Sequence, residues 1–384
     1  MSYSAPRLHP PVLRLQEHRN RVAFEMTTIA DARMRDALSR TILPAIAPSI
    51  IIPLTTVSLQ TNFDAKIHVT YPGSRDPAAE LTVDSGNTSL IVPSYAAIAK
   101  LENFAQAYQV LATGQSEPWG CPANILRGPI QIPAQGGIYQ ISNCVFYACT
   151  GPNAAGNLTA NFGTGWVSPW PAVGDLPLQS PLSYDPNYPF AEFDYAPADQ
   201  LFSAASQPHV NQNSALTLFK AMPSGYQTFD IMRGVPWMSL TPRALSIGDA
   251  ATGWPGARPS IAMIDTGGGP VFLSDPDGFV YGGTWPDPAT NPWWTQPPSV
   301  ACQSTYDKIT VTVGDDNASY AYTIDTSALP QAVRGLTLVM CEQCAYMMGQ
   351  DGMNVGGISA LFNYILIDYA AGKLGLRSKT PPVA

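Results

Sequence analysis

The sequence predicts a mostly β fold in two lobes, and three observations carry that prediction. At 384 residues the chain exceeds the usual size of one domain, so two buried cores are the natural arrangement. Hydrophobic residues make up 45% and charged residues 12%, and 37 prolines and 31 glycines interrupt the chain from end to end. Such punctuation suits short strands joined by turns and leaves little room for long helices. Apolar or alternating runs of strand length also recur from Ile50 to the C-terminus.

The elements follow in order. Residues 1–48 hold seven of the fourteen arginines and none of the six lysines. Thr28-Ile29-Ala30-Asp31 has capping-box form with Asp in place of Glu, and Ile29, Met34, Leu38 and Ile42 roughly keep helical spacing up to Pro44. A short amphipathic helix is expected over 28–41, docked on one lobe, with a cleavable N-terminal prosegment as the other reading. No apolar h-region of a secretory signal is visible near Met1, so localisation stays open between the cytoplasm and another route of secretion.

Strands are predicted at Ile50 to Leu54, Val57 to Leu59, Lys66 to Thr70 and Leu81 to Val83. Further runs lie at Ile138 to Ile141, Cys144 to Ala148, Ala244 to Ile247, Ile309 to Val313, Leu336 to Val339 and Tyr364 to Asp368. Between Trp166 and Gln200 the chain is dense in Pro, Tyr and Trp, which reads as a long irregular connection. The expected division is an N-terminal helical segment 1–48, an N-terminal β lobe with that connection over 49–215, and a C-terminal β lobe over 216–384.

Several functions are disfavoured. The net charge is −8, and no Lys/Arg cluster stands out beyond the N-terminal segment, so no nucleic-acid partner is expected. No apolar run reaches roughly eighteen residues, the length a spanning helix needs, so no membrane partner is expected either. The histidines at 9, 18, 68 and 209 are scattered, with no partner motif. Cys341-Glu342-Gln343-Cys344 has half the spacing of a zinc site but lacks a second pair, and reads as structural. The six cysteines are compatible with three bridges or with reduced thiols. Asp275-Pro276-Asp277-Gly278 is a turn sequence, Trp285, Trp293 and Trp294 read as loop packing, and Asn157 and Asn317 are glycosylation acceptors only in a secreted chain. No cofactor or metal is expected.

One long-range repeat carries chemistry. Leu81-Thr82-Val83-Asp84-Ser85-Gly86 leads into Asn87-Thr88-Ser89 and the apolar Leu90-Ile91-Val92, and 181 positions later Ala262-Met263-Ile264-Asp265-Thr266-Gly267 leads into Gly268-Gly269-Pro270 and the apolar Val271-Phe272-Leu273. Each glycine permits a tight turn that can aim the preceding Asp at a shared site, and each hydroxyl can brace the opposite loop. Two carboxylates held close cannot easily both ionise, so one keeps a proton. The charged member can activate water as general base while the protonated one acts as general acid, a pairing suited to amide hydrolysis.

These residues resemble the pepsin-like aspartic protease family, over about residues 50 to 377. Ile52-Pro53-Leu54 and Ala65-Lys66-Ile67-His68-Val69 are similar to its first strands, and Val83-Asp84-Ser85-Gly86 through Leu90-Ile91-Val92-Pro93-Ser94 to its first Asp loop. Val355-Gly356-Gly357-Ile358 resembles the strand that threads behind the second Asp loop, and Phe162-Gly163 is the candidate for the first. Phe362, Tyr364, Asp368 and Lys373-Leu374-Gly375-Leu376 resemble the closing strands. The resemblance implies a bilobal monomer with a cleft between two β lobes, acting as an aspartic endopeptidase on peptide or protein substrates. It implies catalytic Asp84 and Asp265 supported by Ser85, Gly86, Thr266 and Gly267, a cleft-covering hairpin whose best counterpart is Trp119-Gly120, and a disulfide from Cys302 to Cys341, with Cys344 competing.

The chain departs from the family pattern right after each triplet. Family members usually carry a Ser or Thr there that bonds the aspartate's outer oxygen, and here Asn87 and Gly268 stand instead. Asn87 can donate through its amide, whereas Gly268 has no side chain, so altered tuning of Asp265 is expected. A non-proteolytic member of the fold, binding a peptide, small molecule or protein in the same cleft, is the alternative reading.

Overall fold

The computed structural model describes residues 48–59, 62–196, 209–247, 250–253, 260–268, 271–274, 299–301, 308–325, 327, 329, 338–341 and 351–379. The helix expected over 28–41, the Asp275 turn, the three loop tryptophans, Cys302 and Cys344 lie outside these residues. The described residues are mostly β-strand with little helix. Among the described residues no helix is long and apolar enough to cross a membrane.

Thirteen strands form one sheet, in the spatial order Gln227–Asp230, Lys373–Ser378, Asn363–Asp368, Phe190–Asp194, His209–Phe219, Ser49–Leu59, Asn62–Val69, Ala79–Asp84, Asn161–Gly163, Leu90–Val92, Gly137–Cys149, Pro122–Ala134 and Gln109–Ser116. A second sheet runs Ser299–Ala301, Leu338–Cys341, Val271–Ser274, Asp351–Asn354, Ser260–Met263, Ser239–Ile247, Lys308–Gly314 and Ser319–Asp325, with Ala250–Gly253 beside Ser239–Ile247. Alternation explains the simplest of these. In Lys308–Gly314 the residues Ile309, Val311 and Val313 are buried while the intervening threonines are half-buried, the period-two pattern of a strand with one covered face.

Two expectations are corrected. Ile138 to Ile141 and Cys144 to Ala148 are parts of a single strand, Gly137–Cys149, which pairs along its length with Pro122–Ala134 and absorbs the interruption as a register shift between Gly128 and Ile130. The stretch from Trp166 to Gln200 is not irregular throughout. Phe190–Asp194 lies inside the large sheet between His209–Phe219 and Asn363–Asp368, because Ala191 and Phe193 are fully buried there. Burying a side chain such as Phe193 stabilises by roughly 1.5–3 kcal/mol, and together with Ala191 and the backbone pairing on both sides it offsets the roughly 1–2 kcal/mol that ordering each residue costs.

The strand His209–Phe219 runs unbroken across position 215/216, and Asn363–Asp368, Lys373–Ser378 and Gln227–Asp230 join the same sheet as the N-terminal strands. The two halves of the chain are therefore knitted through a shared set of strands.

Each half also repeats one local topology. Ala79–Asp84 pairs in parallel with Asn161–Gly163, which is antiparallel to Leu90–Val92. Ser260–Met263 pairs in parallel with Asp351–Asn354, which is antiparallel to Val271–Ser274. In both halves a later strand is threaded between the two strands that flank an Asp loop. Thr82 stands opposite Asn161, and Met263 opposite Asn354. Both asparagines thus face the residue two positions before an aspartate.

Candidate active site

The two Asp loops meet across the halves of the chain, and their hydroxyls lock them together. Ser85 Oγ donates to the Ile264 carbonyl at 2.9 Å and accepts from the Thr266 N–H at 2.9 Å. In the opposite direction Thr266 Oγ1 accepts from the Ser85 N–H at 3.1 Å and donates to the Val83 carbonyl at 3.4 Å. Ser85 and Thr266 are both buried, so these four bonds satisfy backbone groups that water cannot reach. The approach is too close for any side chain at the turn glycines. A Cβ on Gly86 would sit 2.8 Å from Asp265 Cγ, and one on Gly267 would sit 2.6 Å from Asp84 Cγ.

Asp84 and Asp265 are thereby brought into hydrogen-bond contact. Asp84 Oδ1 accepts from the Gly86 N–H at 2.8 Å, and Asp265 Oδ1 accepts from the Gly267 and Gly268 N–H groups, both at 2.9 Å. The outer oxygens are held by two residues the sequence reading did not single out. Asn161 Nδ2 donates to Asp84 Oδ2 at 2.8 Å, and Asn354 Nδ2 donates to Asp265 Oδ2 at 2.7 Å. Both asparagines are buried. A second repeat could have found them, since Asn161-Phe162-Gly163 and Asn354-Val355-Gly356 share the form Asn-apolar-Gly.

The residues after the triplets now have physical roles. Asn87 does not reach the aspartate as expected. Its Nδ2 donates to the Ser89 carbonyl at 2.9 Å and to Asn161 Oδ1 at 2.7 Å, while its Oδ1 accepts from the Ser89 N–H at 3.2 Å. Asn87 thus acts on Asp84 only through Asn161. Gly268 leaves space, because a Cβ there would lie 2.9 Å from Asp265 Oδ2 and 3.5 Å from Asn354 Nδ2. Where a side chain at 268 would compete for the outer oxygen, the Asn354 carboxamide occupies the position.

Burial holds the Asp84 carboxyl well above its ordinary value of 3.8, the negative charge of Asp265 and the hydrogen bond between the two carboxyls raise it further, and the Asn161 amide and Gly86 N–H pull the other way. A carboxyl whose folded value is raised contributes stability that is fully present below the unfolded value and is lost as pH rises through the folded one. Unfolding free energy is therefore expected to decline as pH climbs from the ordinary carboxylate range, and the decline should be shallower in Asp84→Asn. Urea unfolding of both proteins across that range checks this. Equal slopes would mean that Asp84 ionises as freely in the folded chain as in the unfolded one.

Trp119 and Gly120 form the tip of the hairpin between Gln109–Ser116 and Pro122–Ala134. The tip is closed by Gly120 N–H to the Glu117 carbonyl at 2.9 Å and Glu117 N–H to the Cys121 carbonyl at 3.0 Å. It packs on the chain that leads into Asn161–Gly163: Asn153 Nδ2 donates to the Trp119 carbonyl at 3.3 Å, and Trp119 leans on a small core that includes Ile91, Cys121 and Tyr147.

Cys121, Cys144 and Cys149 are free and buried, so three bridges do not form and at most one remains open to the other cysteines. Cys144 lies in the main core and the other two in the smaller one. Burial, then the neighbouring Cys121 and Glu117, push the Cys149 thiol up to about 12. Asn157 Nδ2 is buried, which closes that glycosylation acceptor in the folded chain. Among the described residues no three His, Cys, Asp or Glu side chains gather as a metal site would require. No family model matches the chain, and a search of curated proteins finds no match.

Proposed function

We propose that this chain is a pepsin-like aspartic endopeptidase that hydrolyses peptide bonds in extended substrates lying between two β lobes, with Asp84 and Asp265 as its catalytic residues. The observation that carries this reading is the carboxyl pair itself: two aspartates from distant, internally matched segments, in hydrogen-bond contact and each fixed by N–H donors. A structural turn carboxylate has no need of a second one beside it, and bringing two together opposes folding unless a proton is retained.

In the reaction, the ionised carboxylate takes a proton from water as the water oxygen attacks the peptide carbonyl carbon, and the protonated partner gives its proton to the carbonyl oxygen. The resulting tetrahedral diol collapses by breaking the C–N bond. The carboxyl that took the proton from water gives it to the nitrogen as that bond breaks, while the other carboxylate takes a proton from one diol hydroxyl as the acid product forms, so the dyad returns to its single-proton state. Ser85, Thr266, Gly86 and Gly267 keep the carboxyls in reach of one another, and the hairpin tip at Trp119-Gly120 is the candidate cover of the cleft.

The test is digestion of a peptide library by the full-length chain from about pH 3 to 7. Cleavage that is strongest on the acid side and persists in chelator is the expected result. A chain that cuts nothing across this range, yet is protected from heat by an added peptide, is a binding protein of the same architecture and not a peptidase.

A further inference from the structure

We propose that Asn161 and Asn354 are positioning residues of the dyad, and that the unequal donor sets they complete, two N–H groups on Asp84 and three on Asp265, leave the retained proton on Asp84. The catalytic meaning of this inference rests on the peptidase reading, though the proton's location does not.

A carboxamide N–H only donates, so a proton on either Oδ2 would confront the amide already pointing at it. The orientation of each amide is anchored on the backbone. The Ser89 N–H fixes Asn87 Oδ1, Asn87 Nδ2 fixes Asn161 Oδ1, and this leaves Asn161 Nδ2 toward Asp84. In the other half the Gly356 N–H donates to Asn354 Oδ1 at 2.9 Å, which turns Asn354 Nδ2 toward Asp265. A flipped carboxamide would break two bonds in either half, so the outer oxygens are acceptors.

The choice then lies between the inner oxygens, those nearest the opposing glycine. Asp265 Oδ1 accepts two N–H groups, one from Gly267 and one from Gly268 that is shared with the Asp265 carbonyl at 3.2 Å. Asp84 Oδ1 accepts one N–H among the described residues, from Gly86, and keeps a position for a proton. Donors to a carboxylate favour its charged form, so the carboxyl with three is the anion. Within the peptidase reading, Asp265 takes the proton from water and Asp84 protonates the carbonyl oxygen.

Among the described residues, the charged side chains on the strands beside the Asp84 loop are Lys66, which donates to Thr82 Oγ1 at 2.6 Å, and Glu80, opposite His68 near the far end of Ala79–Asp84; Asp351 begins the strand that ends in Asn354. Asp265 is the charge acting most strongly on Asp84. The asymmetry also accounts for Gly268: with no side chain there, its N–H serves as the third donor and Asn354 has room beside Asp265.

The test is a carboxyl-carbon NMR titration of the aspartates in the full-length protein, with Asp84→Asn and Asp265→Asn used to assign the two signals. The expected result is that Asp84 keeps its proton into the upper of the pair's two steps. Asn354→Leu should move the lower step up, and Asn161→Leu the upper one, each by about one pH unit, a tenfold change in proton concentration at half-titration. A merely structural role would lower the melting temperature and leave both steps in place, and that outcome overturns the proposal, as does Asp84 ionising first. Should a leucine variant not fold, the order in the wild type and the milder Asn87→Ala, which frees Asn161 without removing it, still decide. Peptide digestion run beside the titration separates the two ideas. A chain that titrates in this order without cutting keeps the inference and loses the peptidase reading, and one that cuts while Asp84 ionises first does the reverse.

Discussion

Asp84→Asn and Asp265→Asn are each expected to lower kcat for a cleaved peptide by about 10²–10⁴-fold, the range that a positioned acid or base supplies, with little change in KM. In the proposed reaction either substitution removes one partner of a two-part proton exchange. The carboxyl that remains also loses the like charge and the carboxyl–carboxyl hydrogen bond that help raise Asp84, so it is no longer poised to share a proton. Because the two act as a unit, the double variant should be about as inactive as either single one. The measurement is steady-state kinetics at the pH optimum, with circular dichroism to show that the sheets are intact. Undiminished cleavage by either variant would mean that the activity belongs to some other group or to a contaminant.

The dyad was legible in the sequence because its signal is a repeat. Asp-Ser/Thr-Gly is short, but the apolar residues before it and after it recur at both sites, and a turn glycine between two strands constrains where the carboxylate points. Short alternating strands such as Lys308–Gly314 were legible for the same reason: burial on one face writes itself into every second residue. The strand Phe190–Asp194 was hidden by its context. Nothing local distinguishes it from the proline-rich chain around it, and its order comes from His209–Phe219 and Asn363–Asp368 on either side. Asn161 and Asn354 were missed for a different reason. Each lies far from its aspartate along the chain and reaches it only through parallel pairing, whereas the residues adjoining the triplets are Asn87 and Gly268. Both positions are involved, one by orienting the true donor and the other by making room for it.

The largest expected loss of stability comes from Ser85→Ala. Removing that hydroxyl strands the Thr266 N–H and the Ile264 carbonyl, both on buried residues. At about 1–3 kcal/mol for each buried group left unpaired, the cost is about 2–6 kcal/mol, a large part of the roughly 5–15 kcal/mol that holds a typical domain together. Thr266→Val, which keeps the side-chain shape, strands the Ser85 N–H and the Val83 carbonyl and should cost a similar amount. The two are not independent. Once the loops part in one variant, the remaining pair of bonds is strained or already broken, so the double variant should lose less than the sum of the singles. Thr310→Ala, at an exposed cross-strand hydroxyl pair with Thr323, is the control and should cost no more than about 0.5 kcal/mol. Urea unfolding of the four variants measures all of this. If Ser85→Ala proved as mild as the control, the crossed hydroxyls would not be what joins the loops, and the shared strands of the thirteen-stranded sheet would be left to hold the two carboxyls together.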